Sequence, residues 1–150
     1  MAEINWSEKY AVGIESIDHQ HKNLFNAVRV IEEAMTRTAG AAETIVLLEK
    51  LTSAAGEHFA HEEALMRAAK YPGIVLHEAN HQRLMQKIDA FVARHKRIGA
   101  PLDQHALSFL RDWLVYHVEN DDLRLGDWLR GRVHELARAQ QFAQVAQQCE

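Results

Sequence analysis

Two pairs of side chains that can bind metal stand four residues apart in this chain. His58 and Glu62 form one pair, and His77 and His81 form the other. Because an α-helix completes a turn in about 3.6 residues, each pair would present two ligands on one face of a helix. Such groups are costly to bury in a helical core unless they pair with each other or bind a metal. The spacing therefore indicates a buried metal site.

Three further side chains join these pairs. His21 lies in an earlier helical pattern, and His117 lies in a later one with Asp122 close behind it, so the set holds five imidazoles and two carboxylates. If both carboxylates and one solvent-derived oxygen bridge two metal ions, an ion with three imidazoles has six ligands and an ion with two imidazoles has five. The single open position beside a second redox-active ion suits dioxygen, which can accept one electron from each ion.

The ligand types favour iron without specifying it alone. Imidazole suits iron, zinc, copper and nickel, whereas carboxylates shift the preference toward harder ions. Manganese or zinc could therefore also bind at this site adventitiously. Oxygen-activating di-iron bundles use four Glu and two His, whose greater negative charge supports higher oxidation states. Five neutral imidazoles should instead favour binding of dioxygen over oxidation of a substrate.

Four amphipathic helices are needed to bring these residues together, and the sequence predicts them. Apolar or ligand residues recur every three or four positions from 17 to 35, from 45 to 65, from 74 to 98 and from 107 to 117. Stretches with Gly or Pro separate the first three helices at 38–40 and 71–73 and end the third at 99–101. Such short connections make neighbouring helices antiparallel, so we expect an all-α, up-down-up-down four-helix bundle.

The chain is expected to form a single domain, because 150 residues suffice for one hydrophobic core. We expect an N-terminal arm over 1–15 and the bundle over about 16–122. Gly126 predicts an interruption before a C-terminal helix over about 127–147.

These residues lie within motifs that resemble those of the hemerythrin family, over about residues 6–128. The matching stretches are Gln20-His21-Lys22, His58-Phe59 with Glu62-Glu63, Tyr71-Pro72 with His77 and His81, and Trp113-Leu114 with His117-Val118 and Asp122. The resemblance implies a centre of two non-haem iron ions that binds dioxygen reversibly, for oxygen carriage, storage or delivery.

The resemblance also implies a role for each matching position. It gives the six-coordinate iron the ligands His77, His81 and His117, and the five-coordinate iron the ligands His21 and His58. Glu62 and Asp122 would bridge the two ions together with an oxo or hydroxo group. An apolar oxygen pocket that excludes water and anions would be lined by Leu24, Phe59, Trp113, Leu114 and Val118.

Asp121 competes with Asp122 for the bridging role. Asp121 lies four residues after His117, whereas Asp122 lies five after it and would point well away from His117 on a regular helix. The family spacing favours Asp122. We therefore predict a local wide turn in the helix at this point, of the kind that is common at functional sites.

Two alternatives to oxygen binding stay open. One is a di-iron oxidoreductase that acts on peroxide or nitric oxide. The other is a zinc hydrolase, because residues 77–81 fit the H-E-x-x-H pattern in which Glu78 would activate water. That pattern leaves the five other candidate ligands unexplained. The remaining histidines are expected to have structural or surface roles, with His95 capping or packing; they are His19, His61, His95, His105 and His134.

Composition and charge exclude several other classes of protein. The residues are 47% hydrophobic and 25% charged, as in ordinary globular proteins. The net charge is -4 and no basic stretch could follow a phosphate backbone, so nucleic acid is not an expected partner. No apolar run reaches the roughly 18 residues of a membrane span, and the start lacks a secretory signal. We therefore expect a cytoplasmic location. A role in oxygen delivery would also imply an oxygen-consuming client protein. Cys149, the one cysteine, cannot form an internal disulfide.

Overall fold

The computed structural model describes residues 4–132 and 141, and the regular segments in this part of the chain are all helical. The helices are α1 (Glu15–Thr36), α2 (Ala41–Ala68), α3 (Ile74–Ile98), α4 (Gln104–His117) and α5 (Leu123–Arg130), and a 3-10 turn (Glu8–Tyr10) precedes them. Helix α2 packs against both α1 and α3, and α4 packs against α1. The predicted all-α, up-down-up-down bundle is confirmed.

The loops lie where the sequence predicts turns. Thr38 and Lys70 both adopt a φ of 54°, and Gly99 adopts a φ of 72° directly after α3. Left-handed residues of this kind satisfy the last carbonyls of a helix and reverse the chain. Asp103 caps α4, since its side chain accepts a 2.8 Å hydrogen bond from a backbone N–H in the first turn. Short, well-defined loops therefore fix how the four long helices are aligned.

Apolar side chains form two core layers with a polar layer between them. Along α1, Ile17 belongs to the smaller layer and Leu24 to the larger, and His21 lies between these two. Leu114 and Leu125 belong to the larger and the smaller layer in the same way, on either side of the polar residues that follow α4. Each fully buried Leu or Ile contributes about 1.5–3 kcal/mol. The two apolar layers thus offset the cost of burying the polar layer.

The predicted interruption at Gly126 is wrong, because α5 runs through this residue. The distortion lies earlier, in a π-helical turn over Val118–Asp122. Gly126 instead permits a close approach of the N-terminal arm: a Cβ atom at this position would lie 2.4 Å from the backbone oxygen of Val12. A glycine that ends a helix and a glycine that allows close packing cannot be told apart from sequence alone.

The boundaries of α5 also differ from those that the sequence predicts. This helix begins at Leu123 rather than near residue 127. Most of the predicted C-terminal helix lies outside the described residues, as do His134 and Cys149. Among the described residues, no helix combines the length and the hydropathy that a membrane-spanning segment needs.

Candidate metal centre

The seven candidate ligands come from every long helix of the bundle and meet in the polar layer. They are His21 on α1, His58 and Glu62 on α2, His77 and His81 on α3, His117 at the end of α4, and Asp122 in the π-helical turn. Each is at most 3% exposed. Helical spacing of four places two ligands from α2 and two from α3 on inward faces, as the sequence predicts.

The ligand atoms fall into two groups that share both carboxylates. The three-imidazole half contains His77, His81 and His117, and the two-imidazole half contains His21 and His58. Within each group, the ligand atoms of the imidazoles and of Glu62 and Asp122 lie within 4.8 Å of one another. Such spacing suits one metal ion in each half.

Each carboxylate turns one oxygen toward each half. Glu62 Oε2 lies 3.1 Å from the Nε2 atoms of both His77 and His81, while Glu62 Oε1 lies 2.8 Å from His58 Nε2. The two oxygens of Asp122 likewise face different halves of the cluster. Its Oδ1 lies 3.0 Å from His77 Nε2, and its Oδ2 lies 2.8 Å from His21 Nε2. Both side chains therefore have the orientation that a bridging ligand requires.

Several of these buried atoms lack a hydrogen bond even though they lie close together. The Nε2 atoms of His21 and His58, Oε1 of Glu62 and both carboxylate oxygens of Asp122 find no hydrogen-bond partner among the described residues. Contacts of 2.8 Å without hydrogen-bond geometry are expected for atoms that aim at a common point rather than at each other. Since unpaired buried polar groups are costly, the donor set fits a pair of metal ions.

Electrostatics in the polar layer hold the carboxylates charged. Burial alone would lower the pKa of His58, but Glu62 and Asp122 raise it to about 9. Burial also lowers the pKa values of His77 and His117, but the same carboxylates raise them to about 9 and about 10. Conversely, the imidazoles hold the pKa of both carboxyl groups well below the usual range, against the effect of burial. Protons on the imidazoles thus balance two buried negative charges, and metal ions would replace those protons.

The predicted wide turn is confirmed, and it gives both aspartates a place beside His117. In the π-helical turn Val118–Asp122, Asp122 Oδ1 lies 3.1 Å from His117 Nε2. Asp121 Oδ2 accepts a 2.8 Å hydrogen bond from Nδ1 of the same ring. A regular helix rotates by about 100° per residue and would turn one of the two carboxylates away.

Two other imidazoles form hydrogen bonds through Nδ1, the outer nitrogen that faces away from the cluster, and these partners are not evident from the sequence. Nδ1 of His58 donates to Gln20 Oε1 at 2.7 Å, and Nδ1 of His81 donates to Glu63 Oε1 at 3.1 Å. These acceptors place the hydrogen on Nδ1 and leave Nε2 facing inward, as a metal ligand requires. Their contacts join residues 38 and 18 positions apart, so no local spacing could reveal them.

An apolar region adjoins both halves of the cluster, since the ring of Phe59 also lies 5.7 Å from that of His58. Phe59 stacks on His81 with ring centroids 3.9 Å apart, and Trp113 stacks on His117 at 4.4 Å. A narrow cavity of ≈ 20 Å³ is lined by four of the five predicted pocket residues, Leu24, Phe59, Trp113 and Leu114. Val118, the fifth, is buried in the same apolar layer, but it is not among the residues that line this cavity.

The side chains outside the cluster include the proposed base of a zinc hydrolase. Glu78 is half-buried and lies 3.5 Å from Arg67, and it is not part of the ligand cluster. His95 is buried and donates from Nδ1 to the backbone oxygen of Ala100 in the loop after α3, as expected for a structural role. His61 contacts Ser16, whereas His19 and His105 are exposed.

Comparison with known proteins identifies the family. The model of the hemerythrin HHE cation binding domain matches residues 12–129. The chain belongs to the hemerythrin family. Myohemerythrin-1 of Phascolopsis gouldii is 31% identical over 119 residues, which are 79% of this chain and 88% of that protein. Bacteriohemerythrin of Stenotrophomonas maltophilia is 27% identical over 141 residues, which are 94% and 91% of the two chains.

Solved hemerythrin structures share the fold. The crystal structure of wild-type hemerythrin aligns with a TM-score of 0.79 at 26% identity, over 85% of this chain and 98% of that one. The resemblance that the motifs predict is thereby confirmed.

Proposed function

We propose that this hemerythrin-family chain binds dioxygen reversibly at a centre of two non-haem iron ions. The observation that carries the proposal is the division of Glu62 and Asp122, each of which turns one oxygen to each half of a cluster with five imidazoles. In the three-imidazole half, His77, His81 and His117 would hold one ion. In the other half, His21 and His58 would hold the second ion.

The donor set favours binding over substrate oxidation. Two iron ions held by these residues would supply electrons for the binding of dioxygen and would take them back on its release. Glu62 and Asp122 would be shared by the two ions, and His21 and His58 would hold the second ion with one imidazole fewer than the first, which would leave a place for dioxygen on that side. Neutral imidazoles do not support the high oxidation states that carboxylate-rich centres use. We therefore infer an oxygen carrier, store or delivery protein rather than an enzyme.

Residues around the cluster would keep water away from the bound gas. We propose that Leu24, Phe59, Trp113, Leu114 and Val118 form the oxygen pocket, since all lie in the apolar layer beside the imidazoles. An apolar lining lowers the concentration of water and anions at the metals and thus slows irreversible oxidation. The negative charges of Glu62 and Asp122 in the polar layer would offset part of the positive charge of the ions.

Spectroscopy of the iron-loaded protein tests this function. The metal-free chain is loaded with Fe²⁺ in the absence of air, iron is measured per chain, and oxygen is then admitted and removed in cycles. We expect two iron ions per chain and a visible absorption band that appears with oxygen and fades when oxygen is removed. An irreversible change, or steady consumption of added peroxide or nitric oxide, would instead support the di-iron oxidoreductase. The variant Glu78→Gln is the control against the zinc hydrolase, and it should keep the full reversible band.

A further inference from the structure

Two of the three imidazoles in the three-imidazole half donate from their outer nitrogens to carboxylates. Nδ1 of His81 donates to Glu63, and Nδ1 of His117 donates to Asp121 at 2.8 Å. The side chain of Asp121 is 10% exposed, so this hydrogen bond is largely shielded from water. A carboxylate that accepts the outer hydrogen of an imidazole increases the electron donation of the inner nitrogen and adds a negative charge near a bound cation.

The two-imidazole half has no such carboxylate among the described residues. Nδ1 of His58 donates to the neutral amide of Gln20. Nδ1 of His21 is buried and finds no hydrogen-bond partner in the described part of the chain. An amide orients the ring but adds no charge. The two halves therefore differ in electrostatic support by more than their number of imidazoles.

Neighbouring side chains hold Asp121 in place. Asn80 donates to Asp121 Oδ2 at 3.0 Å, and Arg124 donates to Asp121 Oδ1 at 2.6 Å. Since Arg124 is 64% exposed, solvent screens its charge more than that of the buried carboxylate. The guanidinium therefore fixes the orientation of the carboxylate while the field of Asp121 still acts on His117.

We propose that Asp121 is a positioning residue which, together with Glu63, makes the three-imidazole half the tighter metal site, so that this half fills first. The inference rests on the proposed pair of metal ions and adds an order in which they bind. The π-helical turn is essential to this arrangement, because it allows consecutive aspartates to face the two nitrogens of one imidazole. Asp121 is not among the candidate ligands, so its effect on a bound ion would pass through His117.

Stepwise metal binding tests the order. The metal-free full chain is titrated with Co²⁺ against a competing chelator of known affinity, and the two association constants are fitted while the Co²⁺ absorption is followed. The variants are Asp121→Asn and Gln20→Glu, with Glu119→Gln as a matched control that removes one charge on the exposed face of the same turn. Circular dichroism of each metal-free variant reports whether the helices are retained.

The expected result is a selective change in one step. Asp121→Asn should weaken the first step by about 10- to 100-fold and leave the second within about threefold, which is the size seen when outer partners of metal ligands are removed. Gln20→Glu should strengthen the second step, and Glu119→Gln should change neither.

Several outcomes would overturn the inference. Equal weakening of both steps in Asp121→Asn, or an effect no larger than that of Glu119→Gln, rejects the role of Asp121. If Asp121→Asn does not fold, Gln20→Glu decides alone: a tighter second step supports the electrostatic difference, and an unchanged one rejects it. Failure of the unmodified chain to bind two ions would reject the proposed function and the inference together.

Discussion

The metal-free protein should become less stable as the pH rises from 6.5 to about 9, because in this range the folded chain keeps imidazole protons that the unfolded chain has lost. His58 has an ordinary pKa of 6.5, which Glu62 and Asp122 raise to about 9 in the folded chain despite burial. Between these values the folded protein holds a proton that the unfolded chain has lost. Its stabilising effect is therefore complete below pH 6.5 and disappears as the pH rises through 9.

The magnitude follows from the width of this interval. At about 1.4 kcal/mol per pH unit, the loss is roughly 3 kcal/mol for His58 alone. His77 and His117, with pKa values of about 9 and about 10, act in the same direction. A loss of this size is a large part of the 5–15 kcal/mol that is typical of a whole domain.

Acid acts with the opposite sign through the two carboxylates. Glu62 and Asp122 have pKa values well below their ordinary 4.5 and 3.8. Their stabilising effect is present above the ordinary values and is lost as the pH falls toward the depressed ones. The metal-free chain should thus be most stable between about pH 4.5 and 6.5.

Urea denaturation of the metal-free chain at half-unit steps from pH 4 to 9.5 measures this profile. His58→Gln should flatten the alkaline limb by up to about 1.4 kcal/mol per pH unit. His105→Gln, which changes an exposed histidine, should leave the limb unaltered. A free energy of unfolding that stays constant or rises from pH 6.5 to 9 would refute the reasoning, since the carboxylates would then not hold protons on the imidazoles.

Three further perturbations test other parts of the structure. His77→Ala should lower iron content and destabilise the metal-free bundle by about 3–5 kcal/mol, because it leaves buried carboxylates uncompensated; iron content equal to that of the unmodified chain would contradict this. Gly126→Ala should cost about 1–3 kcal/mol in urea denaturation through its clash with the backbone of Val12; unchanged stability would show that the arm can move away. Phe59→Ala removes the ring stacked on His81, so the iron-loaded protein should oxidise irreversibly faster in air; an equal rate would mean that this ring does not limit the access of water.

Much of the bundle follows from local sequence. The repeat of apolar residues and ligands every three or four positions sets which face of each helix is buried, and it does so without reference to any other helix. Loops at 38–40, 71–73 and 99–101 are equally local, since a left-handed Gly99 or a proline acts within its own turn. For this reason the four long helices, their antiparallel order and the inward position of pairs such as His77 and His81 could be predicted.

Other features depend on contacts between distant parts of the chain. Gly126 indicates a helix end by its type, yet it lies within α5, where the lack of a side chain makes room for the arm residue Val12. Glu62 divides its oxygens between two groups of imidazoles, and Glu63 accepts a hydrogen bond from His81, only once the helices are assembled. Sequence determined which residues could serve as ligands, because helical periodicity is local. Tertiary structure decided how they divide between two positions and which carboxylates support them, because those relations depend on the packing of separate helices.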